Sequence, residues 1–334
     1  MALEQSRGLD VLAFGEALVD LISEQVVSSL VDAGEFRRFI GGEVTNVALN
    51  VVRLGGRVGV VACVGDDGFG AYIRRQLNRG GVTTDHVRVT SRASTTVSVI
   101  ARQTATPDFI IYRGADAHIL PEERHLEAIE TSRVVHTSAF ALSREPARST
   151  ILRSLELAQQ SDCLVSLDPN YHPRIWPDVA DFQSVLREAY QWVSVTKPSL
   201  DDCIRLFGPG LPPAVYAERF LNWGPEIVAL TMGAQGVLLA TTDDGWYHIE
   251  PGNVTVADVT GAGDAFWAGL LMALLDDHPP HEAACFGQIV AEAKIGTVGP
   301  VSQMPKRDDL YRRLETVKCE AVTQAVKREN VKRD

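Results

Sequence analysis

Short apolar segments alternate along the chain with segments in which apolar residues recur every three or four positions. The apolar segments are rich in β-branched residues and carry few polar positions on either face, which is typical of strands in a parallel sheet covered by helices. They fall at 11–14, 58–64, 134–137, 163–167, 192–196 and 227–231. The helical spacing recurs over 43–55, 69–79, 146–160, 181–191, 199–207, 213–222 and 281–296. This alternation predicts a doubly wound α/β sheet.

Two segments interrupt the alternation. Residues 18–40 contain no long amphipathic run and end in a strand-like stretch at 35–40, and residues 95–114 contain two β-rich runs around a Thr-Ala-Thr-Pro-Asp turn. The second segment predicts a hairpin. We expect both to leave the edge of the sheet and to form a small β lid, the alternative being two unrelated surface loops. The tail from about 315 is interpreted as a charged helix or a frayed end.

Composition and charge exclude several classes of partner. Lys and Arg total 32 against 43 Asp and Glu, a formal net charge of −11, which disfavours nucleic-acid binding but not a small anion in a locally positive pocket. No run approaches the ~20 apolar residues of a membrane helix, and the first residues lack a secretory signal, so we expect no membrane partner and a cytoplasmic location. The five cysteines are far apart without a CxxC motif and are interpreted as free thiols.

A glycine-rich turn precedes an apolar segment near the C-terminus. A strand-like run at 253–257 leads to Gly261-Ala262-Gly263, and a helix is expected to begin at about Asp264. Small residues at a helix N-terminus let a ligand oxygen approach unpaired backbone N–H groups, so the turn could hold an anion. Asp264 either stabilises the helix dipole or accepts a proton from a hydroxyl that attacks a phosphoryl group.

A second glycine pair, Gly41-Gly42, opens the helix predicted at 43–55, and Asn46 lies one turn into it. Asparagine both donates and accepts hydrogen bonds, which suits a polyol hydroxyl. Taken alone, this segment could equally be a flexible turn with a helix cap.

Together the two segments resemble the signature regions of the ribokinase-like (PfkB) carbohydrate kinases, a GG–N–A–RLG stretch and a D-x-T-G-A-G-D stretch. The resemblance runs from about 10 to about 305 and includes GEALVD at 15–20, YRGAD at 112–116, DPN at 168–170 and TMGAQG at 231–236. It implies a three-layer α/β/α sandwich in one domain over 1–334, with a β lid from 18–40 and 92–115. It also implies transfer of the γ-phosphate of ATP, with Mg²⁺, to a sugar hydroxyl.

The resemblance assigns roles residue by residue. It implies that Asp264 is the catalytic base and that Gly261, Ala262 and Gly263 form the anion hole. Positions that hold the sugar are Asp20, Gly41, Gly42 and Asn46. Positions on the nucleotide side are Asn170, Thr231, Gly233 and Gly236. Asp258 and the Thr260 carbonyl match ligands of a monovalent cation, usually potassium, although the second half of such a site, near Gly299, aligns poorly.

The chain departs from the family pattern at two places. Many members carry an N-x-x-E motif involved with magnesium and phosphate, where this chain has Ser199 and Asp202; Asp202 can keep the acidic role. Lys197, just upstream, could contact the phosphates or be a solvent lysine at a strand end. His172 stands where fructokinase-type members often carry Arg, and we expect it to be structural.

Topology supports the same grouping without the family. Asn170, Lys197 and Thr231 each follow or end a predicted strand, and ligands bind at the carboxyl ends of strands in open α/β sheets. No P-loop occurs, and the GxGxxG dinucleotide pattern fails at Phe266.

The leading hypothesis for function is fructokinase, because GEALVDLI and YRGADAHILPEE resemble bacterial fructokinases. A 2-dehydro-3-deoxygluconate kinase is an alternative, and its acidic substrate would need a cation such as Arg113 or Arg174. Ribokinase, nucleoside kinase and a non-catalytic sugar-binding regulator are further alternatives, the last disfavoured by the intact Asp264 motif. Lid strands often pair between subunits, so we expect a homodimer through the lid.

Overall fold

The computed structural model describes residues 8–102, 108–257, 259–296 and 304–322. The strands, in chain order, are β1 (Leu9–Phe14), β2 (Leu18–Val26), β3 (Phe36–Gly41), β4 (Val58–Gly65), β5 (Val87–Thr90), β6 (Val97–Arg102), β7 (Phe109–Tyr112), β8 (Ser132–Ser138), β9 (Leu164–Asp168), β10 (Val195–Thr196), β11 (Ile227–Thr231), β12 (Val237–Thr241), β13 (Trp246–Ile249) and β14 (Cys319–Ala321). The α-helices are α1 (Glu43–Arg53), α2 (Gly68–Arg79), α3 (Glu123–Glu130), α4 (Ala147–Gln160), α5 (Val179–Ala189), α6 (Leu200–Phe207), α7 (Pro213–Leu221), α8 (Ala262–Leu275), α9 (Pro280–Ile295) and α10 (Arg307–Tyr311).

The larger sheet has ten strands in the order β14-β13-β12-β11-β10-β9-β8-β1-β4-β5. The strands from β11 through to β5 are parallel, whereas β12, β13 and β14 add antiparallel pairs at one edge. Alternate residues of β1 enter opposite cores: Val11 and Ala13 pack with α1, α8 and α9, while Leu12 and Phe14 pack with α4, α5 and α7. The predicted three-layer α/β/α sandwich is therefore confirmed.

A separate four-stranded sheet, in the order β3-β2-β6-β7, joins the two segments that interrupt the alternation. The strand β2 pairs antiparallel with β3 and parallel with β6, and β6 forms the predicted hairpin with β7. The tip of that hairpin, 103–107, lies outside the described residues. In this register Asp20 lies opposite Phe39 on one side and Ser98 on the other.

Two of the predicted strands differ from the structure. The run at 253–257 forms no strand, because both edges of β13 are already paired with β12 and β14. Its end instead follows α9, where the Ala257 N–H donates to the Ile295 carbonyl. The run at 192–196 is a strand only over Val195–Thr196.

The tail is neither a helix nor a frayed end over its described part. After a single 3₁₀ turn at Leu314–Thr316 it forms β14, which completes the free edge of β13. Residues from 323 onward lie outside the described residues.

Candidate active site

The two glycine-rich segments meet at the carboxyl edge of the large sheet, where α1 and α8 begin. Gly42 precedes α1 with φ +105°, and a Cβ there would lie 2.3 Å from the Glu16 carbonyl oxygen. Gly261 precedes α8 with φ +74°, a left-handed conformation that glycine adopts without strain. The helix begins at Ala262, two residues before the predicted position. Its first N–H groups have no partner within the helix, although the Ala262 N–H donates to the Val259 carbonyl over 3.2 Å.

Asp264 lies in the first turn of α8 and contacts α1 directly. The Asn46 Nδ2 atom donates to Asp264 Oδ2 over 2.8 Å, which joins residues 218 apart in the chain. Burial raises the pKa of Asp264 to about 6, and the charge of Asp168 also raises it. The hydrogen bond from Asn46 and the charge of Lys197 lower the pKa and so oppose this shift. A carboxylate with this pKa accepts a proton more readily than free aspartate and is still ionised at neutral pH.

Asp20 projects from β2 toward the same site. A Cβ on Gly41 would lie 2.2 Å from Asp20 Oδ2, so only glycine fits at position 41 without moving that carboxylate. Burial raises the pKa of Asp20 to about 7, and the charge of Asp264 raises it further, while a hydrogen bond from Ser98 opposes both. Asp20 and Asp264 therefore border a common space and repel each other when both are ionised.

Lys197 is buried rather than a solvent lysine, so that alternative from the sequence is wrong. Its Nζ lies 3.2 Å from Asp168 Oδ2, and a Cβ on Gly263 would lie 3.4 Å from Nζ. Burial lowers the pKa of Lys197, but Asp168, Asp202 and Asp264 together hold it above its usual value. The ammonium group is therefore charged and lies beside the N-terminus of α8.

Ser199 and Asp202 form a capping box at the start of α6. Ser199 Oγ donates to Asp202 Oδ2 over 2.6 Å and accepts from the Asp202 N–H over 3.0 Å. Burial and then the charge of Asp168 raise the pKa of Asp202 to about 6. The capping box explains how serine replaces the asparagine of the family motif without loss of the helix start.

Thr231, Gly233 and Gly236 shape a tight turn after β11. The Met232 N–H donates to the Gly236 carbonyl, and a Cβ on Gly236 would lie 2.0 Å from the Ile249 carbonyl oxygen. Both glycines have positive φ, so the turn depends on them. Asn170 also has positive φ, and its N–H donates to Asp168 Oδ1.

The predicted cation ligands are placed only in part. Thr260 lies two residues before α8, whereas Asp258 is outside the described residues. Over the described ranges there is no group of three or more His, Cys, Asp or Glu side chains arranged to hold a metal ion.

Both candidate carboxylate-binding arginines already have acidic partners. Arg113 Nε donates to Asp116 Oδ2 over 2.7 Å, its Nη1 donates to Ser143, and its guanidinium stacks over Phe140. Arg174 pairs with Asp108 at 3.0 Å.

His172 is half-buried against the ring of Phe109, with ring centroids 4.6 Å apart. Burial and the neighbouring Arg205 and Arg174 lower the pKa of His172 to about 4, which fits the structural role expected for it.

A buried polar network beneath the site was not predicted. His136 contacts Ser166 and Glu43, Glu16 accepts from the Glu43 N–H and from Ser138, and Trp267 Nε1 donates to Asp168. Glu16 lies in the GEALVD segment and Asp168 in the DPN segment, so the motifs could have indicated both as site residues. Glu43 also stands inside the GG–N–A–RLG stretch, although an acidic residue at a helix start is common. His136 carries no such signal, because it lies outside the motif segments.

No described helix is long and apolar enough to cross a membrane.

Comparison with known proteins places this site in a wider context. The model of the pfkB family carbohydrate kinases matches residues 9–307. An ATP-dependent 6-phosphofructokinase of Thermoanaerobacterium thermosaccharolyticum is 32% identical over 90% of this chain and 92% of its own. A fructokinase of Klebsiella pneumoniae is 30% identical over 91% and 99%, and a 5-dehydro-2-deoxygluconokinase of Photobacterium profundum is 27% identical over 95% and 98%.

Solved structures agree with the sequence comparison. A fructokinase of Halothermothrix orenii is 33% identical with a TM-score of 0.72, covering 89% of this chain and all of its own. An uncharacterised sugar kinase of Pyrococcus horikoshii in complex with ATP is 26% identical with a TM-score of 0.79, covering 91% and 99%.

Proposed function

Because this chain belongs to the pfkB family of carbohydrate kinases and is an ATP-dependent sugar kinase, we propose that its acceptor is fructose, which it converts to fructose 6-phosphate. The observation that carries the proposal is the contact between Asn46 and Asp264 at the N-terminus of α8, with Asp20 facing the same space. These three side chains offer acceptors and a donor to a polyol whose reacting hydroxyl lies beside a carboxylate base.

In the proposed mechanism, Asp20, Asn46 and the backbone at Gly41 and Gly42 hold the sugar hydroxyls. Asp264 accepts the proton of the attacking hydroxyl as its oxygen bonds to the γ-phosphorus and the bond to the β-phosphate oxygen breaks. The N–H groups of Gly261, Ala262 and Gly263 stabilise the charge that develops on the transferred group.

The nucleotide side is proposed from the remaining residues. Thr231, Gly233 and Gly236 would bind ATP, while Asn170 and Lys197 would contact its phosphates. Asp202 would hold Mg²⁺ indirectly; burial and then the charge of Asp168 raise its pKa to about 6. Magnesium supplies charge neutralisation on the phosphates.

The four-stranded sheet is proposed as a lid over 18–40 and 92–115 that excludes water during transfer. Arg113 would act at the base of the lid, on the substrate side. It follows the end of β7 and pairs with Asp116, and Asp116 accepts a hydrogen bond from Thr96, the residue before β6. Exposed apolar residues on the lid strands, Val26, Phe36 and Ile110, support a homodimer through this sheet.

A neutral ketose fits the charges better than an acidic sugar. A substrate carboxylate would have to compete with Asp116 for Arg113 and with Asp108 for Arg174, and Asp20 would repel it. Near-full-length identity of 30% to a fructokinase supports the same choice. A 2-dehydro-3-deoxygluconate kinase and a ribokinase remain the alternatives, and a non-catalytic regulator is the minor one.

The test is a coupled ADP-release assay with Mg²⁺-ATP, with and without K⁺. Its acceptors are fructose, fructose 6-phosphate, 2-dehydro-3-deoxygluconate, 5-dehydro-2-deoxygluconate and ribose, and the Asp264→Asn variant corrects for contaminating kinases. A kcat/KM for fructose at least about tenfold above every other acceptor is expected. Preference for an acidic or phosphorylated sugar would contradict the proposal, and sugar binding without turnover would favour the regulator. A requirement for K⁺ would support a cation site at Asp258 and Thr260.

A further inference from the structure

Asp168 ends β9 and contacts three different parts of the site. Its Oδ2 lies 3.2 Å from Lys197 Nζ and accepts from Trp267 Nε1 over 2.8 Å, while its Oδ1 accepts from the Asn170 N–H over 3.0 Å. The side chains of Asp168 and Lys197 are only 7% and 5% exposed. A single carboxylate therefore joins the end of β9, the end of β10 and helix α8.

Lys197 lies between acidic side chains and the start of α8, and Asp168, Asp202 and Asp264 hold its ammonium group in the charged form. A Cβ on Gly263 would lie 3.4 Å from Lys197 Nζ. The ammonium group therefore lies beside the N-terminus of α8, which carries a partial positive charge. A buried ammonium group is also costly to desolvate. An arrangement of this kind is matched to a negative group placed between the ammonium and the N–H groups of the helix.

Trp267 connects the same carboxylate to the catalytic helix. It is fully buried and lies three residues after Asp264, so the two side chains share one face of α8. The indole also packs edge-on against His136, with ring centroids 5.0 Å apart. The hydrogen bond from Trp267 Nε1 to Asp168 joins α8 to the end of β9 and so contributes to the direction of Asp264.

We propose that Asp168 is a positioning residue for phosphoryl transfer, which holds the Lys197 ammonium beside the Gly261–Gly263 turn and, through Trp267, orients α8. This inference rests on the proposed function, because it assigns the negative group between Lys197 and α8 to the γ-phosphate of ATP. No covalent step involves Asp168 itself.

The test compares Asp168→Asn, Lys197→Met and the double variant with wild type. Asparagine keeps the shape of Asp168 and one carbonyl acceptor, so the pair loses its charge with little change in packing. We expect kcat to fall about 10- to 100-fold in each single variant, with the KM for sugar changed less than about threefold. The double variant should be no slower than the slower single variant, since both changes remove the same contact. Lys197→Arg should recover part of kcat.

Asp201→Asn and Lys318→Met are the matched controls, because these side chains are 70% and 72% exposed and lie outside the site. Wild-type kcat in Asp168→Asn with only a lower melting temperature would overturn the proposal, as would additive losses in the double variant.

A binding measurement separates this proposal from the proposed function. The affinity of each variant for a Mg²⁺-bound non-hydrolysable ATP analogue is compared with its affinity for Mg²⁺-ADP by calorimetry, without sugar. We expect Asp168→Asn and Lys197→Met to lose at least about threefold of the preference for the triphosphate. If wild type phosphorylates no sugar, the proposed function fails, while this loss of preference would still support the Asp168–Lys197 contact. An unchanged preference in both variants would overturn the contact.

Discussion

Partial burial and nearby acidic groups raise the pKa of Asp20 to about 7 and the pKa of Asp264 to about 6. Their chemistry is therefore set by their neighbours more than by their residue type. Asn46 stabilises ionised Asp264 through a hydrogen bond, and Ser98 does the same for Asp20.

Asp264→Asn removes the proposed base and keeps the side-chain shape. Turnover is expected to fall by a factor of about 10²–10⁴, the usual contribution of a positioned base. The affinity for ATP should change little, because the backbone N–H groups of α8 remain. Steady-state kinetics and calorimetry with ATP measure the two quantities, and turnover close to wild type would remove Asp264 from the base role.

The pH dependence of kcat/KM should show a loss of activity on the acid side. A base must be deprotonated, so activity falls as pH decreases through the pKa of Asp264, about 6. Protonation of Asp20 below about pH 7 adds to this fall. A rate profile from pH 4.5 to 8.5 tests the prediction, and constant activity down to pH 4.5 would contradict it.

At the scale of elements, the hairpin of β2 and β3 determines where Asp20 lies. Gly41 ends β3 directly against the Asp20 carboxylate and pairs with Leu18 across the hairpin. The position of one glycine therefore sets the direction of a side chain on the neighbouring strand.

Gly41→Ala should displace the Asp20 carboxylate, because the new Cβ would lie 2.2 Å from Oδ2. The KM for sugar is expected to rise at least about tenfold, with a smaller effect on the KM for ATP. Gly34→Ala is the matched control, since a Cβ at position 34 meets no atom within 4 Å. Similar sugar KM values in the two variants would show that Asp20 does not contact the sugar.

The edge strand β14 brings Cys319 next to Cys285 of α9. The hydrogen bond from Cys285 lowers the pKa of the Cys319 thiol below its usual value, whereas burial raises the pKa of Cys63 to about 11. Cys319 should therefore be alkylated by iodoacetamide before Cys63 at pH 7, because the thiolate is the reactive form. Peptide mass spectrometry over a time course measures the order, with Cys319→Ser as the control. Faster labelling of Cys63 would contradict the position of β14.

At the scale of the whole molecule, buried histidines and buried carboxylates give opposite dependences of stability on pH. Burial lowers the pKa of His125 to about 4 and of His136 to about 3, so the unfolded chain binds more protons than the native one below about pH 6.5. These groups make the protein less stable as pH falls from 6.5 toward 4. Glu16 and Asp20, each with a pKa of about 7, make it more stable as pH falls from 7 toward 4.5.

His125→Leu isolates one of these contributions. The free energy of unfolding should decrease less in this variant than in wild type when the pH falls from 6.5 to 4.5. The difference between the two slopes should be up to about 1.4 kcal/mol per pH unit. Urea unfolding at several pH values measures the difference. His118→Leu, a half-buried histidine in a 3₁₀ turn, is the control, and equal slopes for His125→Leu and wild type would contradict the neutral state of His125.

Much of this architecture could be predicted because parallel strands and amphipathic helices have clear sequence periods. The sequence could not predict β14, whose three residues gain their order only from the free edge of β13. The sequence could not show whether Lys197 is exposed or buried, because its burial depends on Asp168, 29 residues earlier, and on α8. Asp264 and Asn46 were identified from motifs, but their direct contact depends on the packing of α1 on α8.

That contact joins the first sixth of the chain to its last quarter and has a consequence for synthesis on the ribosome. The central strand β1 pairs with β8, and α1 packs on α8, and both partners are synthesised much later. A growing chain therefore exposes the apolar face of α1 until residues beyond 270 have emerged. A product that terminates early therefore has no partial activity and presents an aggregation-prone surface to chaperones and proteases. We therefore expect that a product ending before α8 does not accumulate in a cell.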